Sequence, residues 1–350
     1  MVPVRVMIVE DSTVVRQLLA ALITQDARLM LVAAVASAEE AYQEIPRVRP
    51  DVISMDIRLP GDSGLDATRR IMAEWPTPIV VIADSVNDGS LKISMNALRA
   101  GALSVVEKPV GIASDGYADL AETICTQLYI MSQVPVIRQR APRAPLVRKL
   151  AGESAAAIPV VPSLVALAAS TGGPPALAKV LSALPTDYPA PVLVVQHMGP
   201  AFMEGFASWL DGLIDLPVSL ARDGETALAG RVYVAPGNSH LTVEPGNILR
   251  LGYEQPLSGQ RPSATILFQS LARTLGPRGL GVILTGMGED GARGLLEMRQ
   301  SGAYTIAESE QTCVVYGMPA AAVKLGGARV SLPLDSIGPR LVQLAGVGGA

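Results

Sequence analysis

The chain has 350 residues, too many for one ordinary core and suited to two domains of common size. Hydrophobic residues make up 49% and charged residues 17%, which excludes an intrinsically disordered chain, and aromatics at 4% leave the cores to Val, Leu, Ile and Ala. A net charge of −4 argues against whole-chain affinity for nucleic-acid phosphates, and no apolar run approaches the roughly 18–20 residues of a membrane span.

Val4–Val9 reads as a strand running into Glu10 and Asp11, without the charged start and apolar centre of a secretory signal. With only two cysteines, Cys125 and Cys313, there is no disulfide framework, and the expectation is a reduced, cytoplasmic protein. A helix follows over Thr13–Gln25, then strand Met30–Val35 and helix Ala38–Val48. Strand Val52–Met55 precedes helix Leu65–Trp75, and strand Ile79–Ala83 precedes a helix near Ser90–Ala100. Strand Leu103–Val106 and a helix over Asp115–Met131 close the series. Five strand-then-helix repeats predict an open, five-stranded parallel sheet with helices on both faces, a flavodoxin-like domain over residues 1–131.

From 132 to 162 the pattern lapses into Pro135, Pro142, Pro145, Pro159 and Pro162 with Arg138, Arg140, Arg143, Arg148 and Lys149. This reads as a semi-stiff linker, a solvated tether more readily than an interaction arm. A second α/β pattern fills 163–350. Its strands are Leu164–Ala169, Val192–Val195, Val232–Ala235, Val282–Leu284 and Tyr304–Ala307, with helices over Pro175–Leu184 and Phe202–Leu213. Leu241–Glu244 and Ile248–Leu251 flank Pro245-Gly246-Asn247 as a hairpin. The expected architecture is a doubly wound, mostly parallel sheet carrying that hairpin.

Parallel sheets bind ligands at the carboxyl ends of their strands. In the first domain those ends carry Glu10 and Asp11, Asp56, and Lys108. Three carboxylates in one crevice repel one another unless a cation joins them, and hard oxygen donors suit Mg²⁺. Lys108 would neutralise a phosphoryl group, so the fitting chemistry is phosphoryl transfer to Asp56, giving an acyl phosphate. Val9-Glu10-Asp11-Ser12, Asp56 with Leu59-Pro60 and Gly64, and Glu107-Lys108-Pro109 resemble the motifs of bacterial response-regulator receivers. Receivers usually carry Ser or Thr at the end of the fourth strand. Here that place falls on Ala83, with Asp84 and Ser85 behind it, so that either Ser85 substitutes through a local shift or the hydroxyl contact is missing and the switch is weakened.

In the second domain Ser170 follows a strand and enters Thr171-Gly172-Gly173-Pro174-Pro175, a tight strand-to-helix turn. By itself the turn fits a phosphate cradle or a helix cap as well as a nucleophile. Of the two histidines, His197 ends a strand, whereas His240 lies on the hairpin, where a surface or packing role is the plainer reading. Thr285-Gly286-Met287-Gly288-Glu289-Asp290-Gly291 follows a third strand. Asp290 is placed to orient His197, with Glu289 an adjacent competitor, His197 to take the Ser170 proton, and the Met287 amide to bind an oxyanion. The order Ser, His, Asp without a G-x-S-x-G elbow is not that of the ordinary α/β-hydrolases.

Ala169-Ser170-Thr171-Gly172-Gly173, Gln196-His197-Met198, Ala235-Pro236-Gly237, Arg261-Pro262-Ser263, Leu284 to Gly288 with Asp290-Gly291, and Cys313 to Pro319 resemble the chemotaxis protein-glutamate methylesterases. That resemblance implies Ser170 as nucleophile, His197 as base, Asp290 as orienter, and Thr171 and Met287 as oxyanion neighbours. It also implies a substrate, methylated chemoreceptor cytoplasmic domains, a second activity as glutamine deamidase, and phosphoryl supply from a chemotaxis histidine kinase. No cofactor is expected for hydrolysis. Near Thr265, where the family usually has an acidic residue, the expected effect is on the cleft rim, and Cys313 reads as a packed small hydrophobe. The alternatives are a related hydrolase on another signalling target, and a non-enzymatic response regulator, against which the absence of a basic helix-turn-helix counts.

Overall fold

The computed structural model describes residues 2–83, 96–98, 100–109, 117–134 and 161–346. They fall into two compact units, residues 2–134 and residues 161–346, each described by itself. Among the described residues no helix is long and apolar enough to cross a membrane.

In the first unit β1 (Val4–Val9), β2 (Leu29–Val35), β3 (Val52–Met55), β4 (Ile79–Ala83) and β5 (Ser104–Glu107) form one parallel sheet in the order β2-β1-β3-β4-β5. Helices α1 (Thr13–Gln25), α2 (Ala38–Val48), α3 (Gly64–Glu74) and α4 (Tyr117–Met131) cover it. Hydroxyls start three of them: Ser12 accepts from the Val15 N–H, Ser37 from Glu40 and Ser63 from Asp66, each satisfying an amide that the first turn leaves over. Residues 96–98 are helical and Ala100 follows as a turn; residues 90–95 and 99 of the helix expected near Ser90–Ala100 lie outside the described residues, as do Asp84, Ser85 and residues 135–160 of the expected linker.

The second unit is built on a seven-stranded, wholly parallel sheet. Its strands are β6 (Leu164–Ala169), β7 (Val192–Gln196), β8 (Val218–Leu220), β9 (Val232–Val234), β12 (Gly279–Ile283), β13 (Tyr304–Glu308) and β14 (Val330–Leu332), in the order β14-β13-β12-β6-β7-β9-β8. Hairpin β10 (His240–Glu244) and β11 (Ile248–Gly252) stands apart and antiparallel. Strands β6, β7 and β12 are buried along their whole length, the aliphatic pattern of a sheet covered on both faces. The chain runs from β6 to β7 on one side and later returns to place β12 on the other, so the strand order reverses at β6.

Boundaries shift where glycine or proline is used tightly. The helix expected from Pro175 begins at Gly173, with both prolines in its first turn, where no N–H is needed (α5, Gly173–Leu181). Strand β12 starts at Gly279, earlier than expected. A Cβ on Gly281 would stand 2.7 Å from Leu295, so this glycine admits the close approach of helix Ala292–Gln300 to the sheet. The three-residue edge strands β8 and β14 lack the length to register in the sequence pattern.

Candidate active site and phosphoacceptor pocket

In the first unit the carboxyl ends of β1, β3 and β5 converge. Lys108 Nζ lies 3.0 Å from Asp56 Oδ1 and 3.0 Å from Glu10 Oε2, with Glu10 and Asp56 buried and Asp11 exposed. One carboxylate oxygen from each of Glu10, Asp11 and Asp56 falls within 4.8 Å of the others. Asp56 Oδ2 is buried without a hydrogen-bond partner. An acceptor left bare among three carboxylates fits a hard divalent cation with oxygen ligands. Burial raises Glu10 to about 7, with repulsion from Asp56 adding and Lys108 opposing. Burial also raises Asp56 against the pull of Lys108. Lys108 is pushed down by burial but held above its usual range by Asp56 and Glu10. Gly64 is required here, because a Cβ would sit 1.9 Å from the Asp56 carbonyl oxygen. Ala83 ends β4 with its carbonyl accepting from the Lys108 N–H at 3.0 Å, and it brings no hydroxyl to the pocket.

In the second unit Ala169 of β6 is the register partner of Gln196 of β7, so Ser170 and His197 leave neighbouring strands at one level. The His197 N–H donates to the Ala169 carbonyl at 3.0 Å, and the Ser170 N–H to the Thr285 carbonyl at 3.0 Å, which brings in the turn after β12. Gly172, at φ 75°, turns the chain into α5; a side chain there would strike Val314 at 2.5 Å.

His197 Nε2 meets Asp290 Oδ2 at 2.9 Å, and both side chains are buried. Glu289, the adjacent competitor, is exposed. Asp290 accepts three further bonds: from Ser263 Oγ at 2.7 Å, the Ala264 N–H at 2.7 Å and the Thr265 N–H at 3.1 Å. Burial acts upward on this carboxyl, but the bonds from His197, Ser263 and Thr265 overcome it and lower Asp290 to about 2. Two of these donors are first-turn amides of helix Ala264–Leu275, which a carboxylate from a distant loop therefore caps.

Thr265 corrects the sequence reading. It is buried, and beyond its amide bond to Asp290 its hydroxyl accepts from the Gly291 N–H at 2.7 Å, so it belongs to the packing around Asp290 and not to a cleft rim. An uncharged side chain spares Asp290 a second carboxylate at contact distance. His240 is a packing residue: buried, with Nδ1 accepting from the Ser263 N–H at 3.1 Å and Nε2 3.3 Å from the Gln255 carbonyl oxygen.

In the turn after β12, the Gly286 N–H is engaged by the Val315 carbonyl at 3.0 Å, and the Gly286 carbonyl accepts from Gly317 and Met318. The Met287 N–H has no hydrogen bond among those of the described residues, and Met287 is 48% exposed, which makes that amide one of the available donors of the turn. Thr171 is buried, its carbonyl accepting from Thr285 Oγ1 at 2.9 Å.

Three residues outside the predicted set hold this arrangement. Thr285 joins the Ser170 turn to the 312–316 loop, since its hydroxyl also accepts from the Val315 N–H at 2.9 Å. Glu308, fully buried at the end of β13, accepts from the Thr285 N–H at 2.8 Å and from Thr312 Oγ1 at 2.9 Å, and burial raises its carboxyl. Gln196, at 1% exposure, donates to both the Ser170 and His197 carbonyls. Gln196 and Ser263 stand inside motifs legible in the sequence, whereas nothing local marks Glu308. The Cys313 thiol is half-buried and burial pushes it up, away from reactivity.

Residues 165–341 match the model of the CheB methylesterase family, and residues 6–114 match that of the response regulator receiver domain. A protein from Paramagnetospirillum magneticum, protein-glutamate methylesterase/protein-glutamine glutaminase 2, is 51% identical over 98% of this chain and 97% of its own. A protein-glutamate methylesterase/protein-glutamine glutaminase from Myxococcus xanthus is 42% identical, with 99% of both chains covered. The crystal structure of the Thermotoga maritima CheB methylesterase catalytic domain matches 53% of this chain and all of that one, with 37% identity and a TM-score of 0.51.

Proposed function

Since the chain belongs to the CheB methylesterase family, with a response-regulator receiver ahead of the catalytic unit, we propose that it hydrolyses glutamate γ-methyl esters on chemoreceptor cytoplasmic domains and deamidates receptor glutamines, under control of phosphorylation at Asp56. The observation that carries the reading is the placement of Ser170 and His197 at the ends of register-paired strands, with Asp290 at 2.9 Å from the imidazole.

With Nε2 committed to Asp290, Nδ1 is the ring nitrogen left to His197 for taking the Ser170 proton. Ser170 Oγ attacks the ester carbonyl carbon as its proton passes to Nδ1, and Asp290 balances the imidazolium. The Met287 amide and Thr171 are the groups assigned to stabilise the developing oxyanion. The tetrahedral adduct collapses as His197 returns the proton to the methoxy oxygen, releasing methanol and leaving an acyl-Ser170. Water, activated by the same imidazole, then adds to the acyl carbon and frees the glutamate carboxylate. With a glutamine substrate the leaving group is ammonia.

In the receiver, Glu10, Asp11 and Asp56 would hold Mg²⁺, which when bound neutralises charge between carboxylate and phosphoryl oxygens. Asp56 accepts the phosphoryl group, from a chemotaxis histidine kinase in the cell, and Lys108 pairs with it. A cytoplasmic setting agrees with such partners.

The test is methanol release from methylated receptor fragments. Ser170→Ala should lower kcat by several orders of magnitude, on the order of 10⁶ as in a protease of the same chemistry. A small phosphodonor should raise the wild-type rate and leave Asp56→Asn unmoved. A Ser170→Ala protein that keeps its rate removes Ser170 from the reaction and the reading with it.

A further inference from the structure

The ladder between β6 and β7 ends where the His197 N–H meets the Ala169 carbonyl, and beyond it the two strands run on into separate loops, one after Ser170 and one after His197. The nucleophile and its base therefore stand on two diverging loops. The Gln196 side chain links the two. Gln196 Nε2 donates one N–H to the Ser170 carbonyl at 2.9 Å and the other to the His197 carbonyl at 2.9 Å.

We propose that Gln196 is a positioning residue, whose amide locks the nucleophile loop to the base loop and so fixes the approach of Ser170 Oγ to the imidazole. The inference rests on the esterase reading of this site.

Two further observations support it. Gln196 Oε1 is buried without a hydrogen-bond partner, a cost in free energy that an apolar filler of the same volume would avoid. A group chosen for packing alone has no reason to carry that cost, whereas a group chosen for its two donors does. Room for the amide is also reserved: a Cβ on Gly173 would stand 2.0 Å from Gln196 Oε1. The Ser170 carbonyl is held twice, by Gly173 N–H at 2.8 Å and by Gln196. His197 is held at its amide by Ala169, at its carbonyl by Gln196 and at its ring by Asp290. Without Gln196, each loop keeps its own anchors but loses this bridge between the Ser170 and His197 carbonyls.

The experiment uses the full chain with Gln196→Met, which matches the side chain in shape and has no donor. Three quantities are read: kcat and KM for methanol release from methylated receptor fragments, the rate at which a fluorophosphonate labels Ser170, and the urea midpoint. A displacement of about an ångström between reacting groups costs on the order of 100-fold, so the expected loss in kcat is about 10- to 100-fold. KM should stay near the wild-type value, and labelling should slow in step with kcat. Should Gln196→Met not fold, Gln196→Asn fills less space and keeps both donors on an arm too short to reach both carbonyls, and the same kcat loss is expected. Near-wild-type kcat and labelling in a folded variant, or a change confined to KM, overturns the inference while leaving the esterase reading intact. Failure of the fluorophosphonate to label Ser170 in the wild type overturns both.

Discussion

Replacing Asp290 by asparagine strikes the point where four donors converge. Oδ2 receives His197 Nε2 and the Ala264 N–H, and Oδ1 receives Ser263 Oγ and the Thr265 N–H. An amide offers one oxygen, so in either orientation its NH₂ faces a backbone N–H that has lost its acceptor. The drop of Asp290 from 3.8 to about 2 sets the scale. At about 1.4 kcal/mol per pH unit, it corresponds to folding stability on the order of 2 kcal/mol at neutral pH. Because the folded state holds the carboxyl below its unfolded value of about 3.9, this contribution is fully present above that pH and lost as pH falls through about 2. About half of it is left at pH 3.

We expect Asp290→Asn to lower stability by about 2–4 kcal/mol at pH 7, with the gap to wild type unchanged at pH 5 and narrowed at pH 3. The catalytic unit can be read on its own: the chain has two tryptophans, Trp75 in the first unit and Trp209 in the second, so urea titrations in a Trp75→Phe background report Trp209. In the same protein kcat should fall on the order of 10⁴, as for that exchange in a serine protease. A stability gap that is absent at pH 7, or that is the same at pH 3, refutes the assignment of Asp290 as an ionised hub.

Gly173→Ala should lower both stability, by about 1–3 kcal/mol, and kcat, because the new Cβ meets Gln196 Oε1 and the Ala169 Cβ at 2.0 and 2.8 Å; wild-type kinetics would count against the close fit. Glu308→Gln tests a second buried carboxyl of the catalytic unit. Its folded-state pKa is raised by burial, so the folded state binds the extra proton and stability falls as pH rises above about 4.3. The glutamine keeps an acceptor for the Thr285 N–H and offers its NH₂ to Thr312 Oγ1, so its stability relative to wild type should climb from pH 4 to pH 8; a flat difference denies the shift. In the receiver, phosphate incorporation from a small phosphodonor should require Mg²⁺ and vanish in Asp56→Asn; incorporation that survives chelation removes the cation from the pocket.

The strand ends were legible because fully buried parallel strands spell themselves as aliphatic runs, and the residues just past each run land in the crevice. That logic located Glu10, Asp56, Lys108, Ser170 and His197. Asp290 was harder, since it lies seven positions past the end of β12, and only the fold shows that Glu289 faces outward. Thr265 and Glu308 were misjudged or unseen for a different reason. Their roles depend on partners 25 and 23 residues away in the chain, and no local periodicity records such a pairing. The helices Met318–Lys324 and Leu334–Leu344 escaped because Pro319 and Pro339 interrupt the sequence where the structure continues as helix.

The reversal of strand order at β6 also governs how the molecule is made. Ser170 and His197 leave the ribosome well before Asp290, and β12, which carries the chain to Asp290, must dock on β6 in the middle of the finished sheet. Until it does, β6 is an unpaired, wholly aliphatic edge, open to pairing with the same edge of another nascent chain. In the receiver the order reverses in the same way at β1, but β3 closes that edge 46 residues on (Val6 to Val52), against 115 for β12 on β6 (Leu167 to Val282). Hydrolytic competence is therefore among the last properties the chain acquires, and aggregation during refolding should originate in the half-built second sheet.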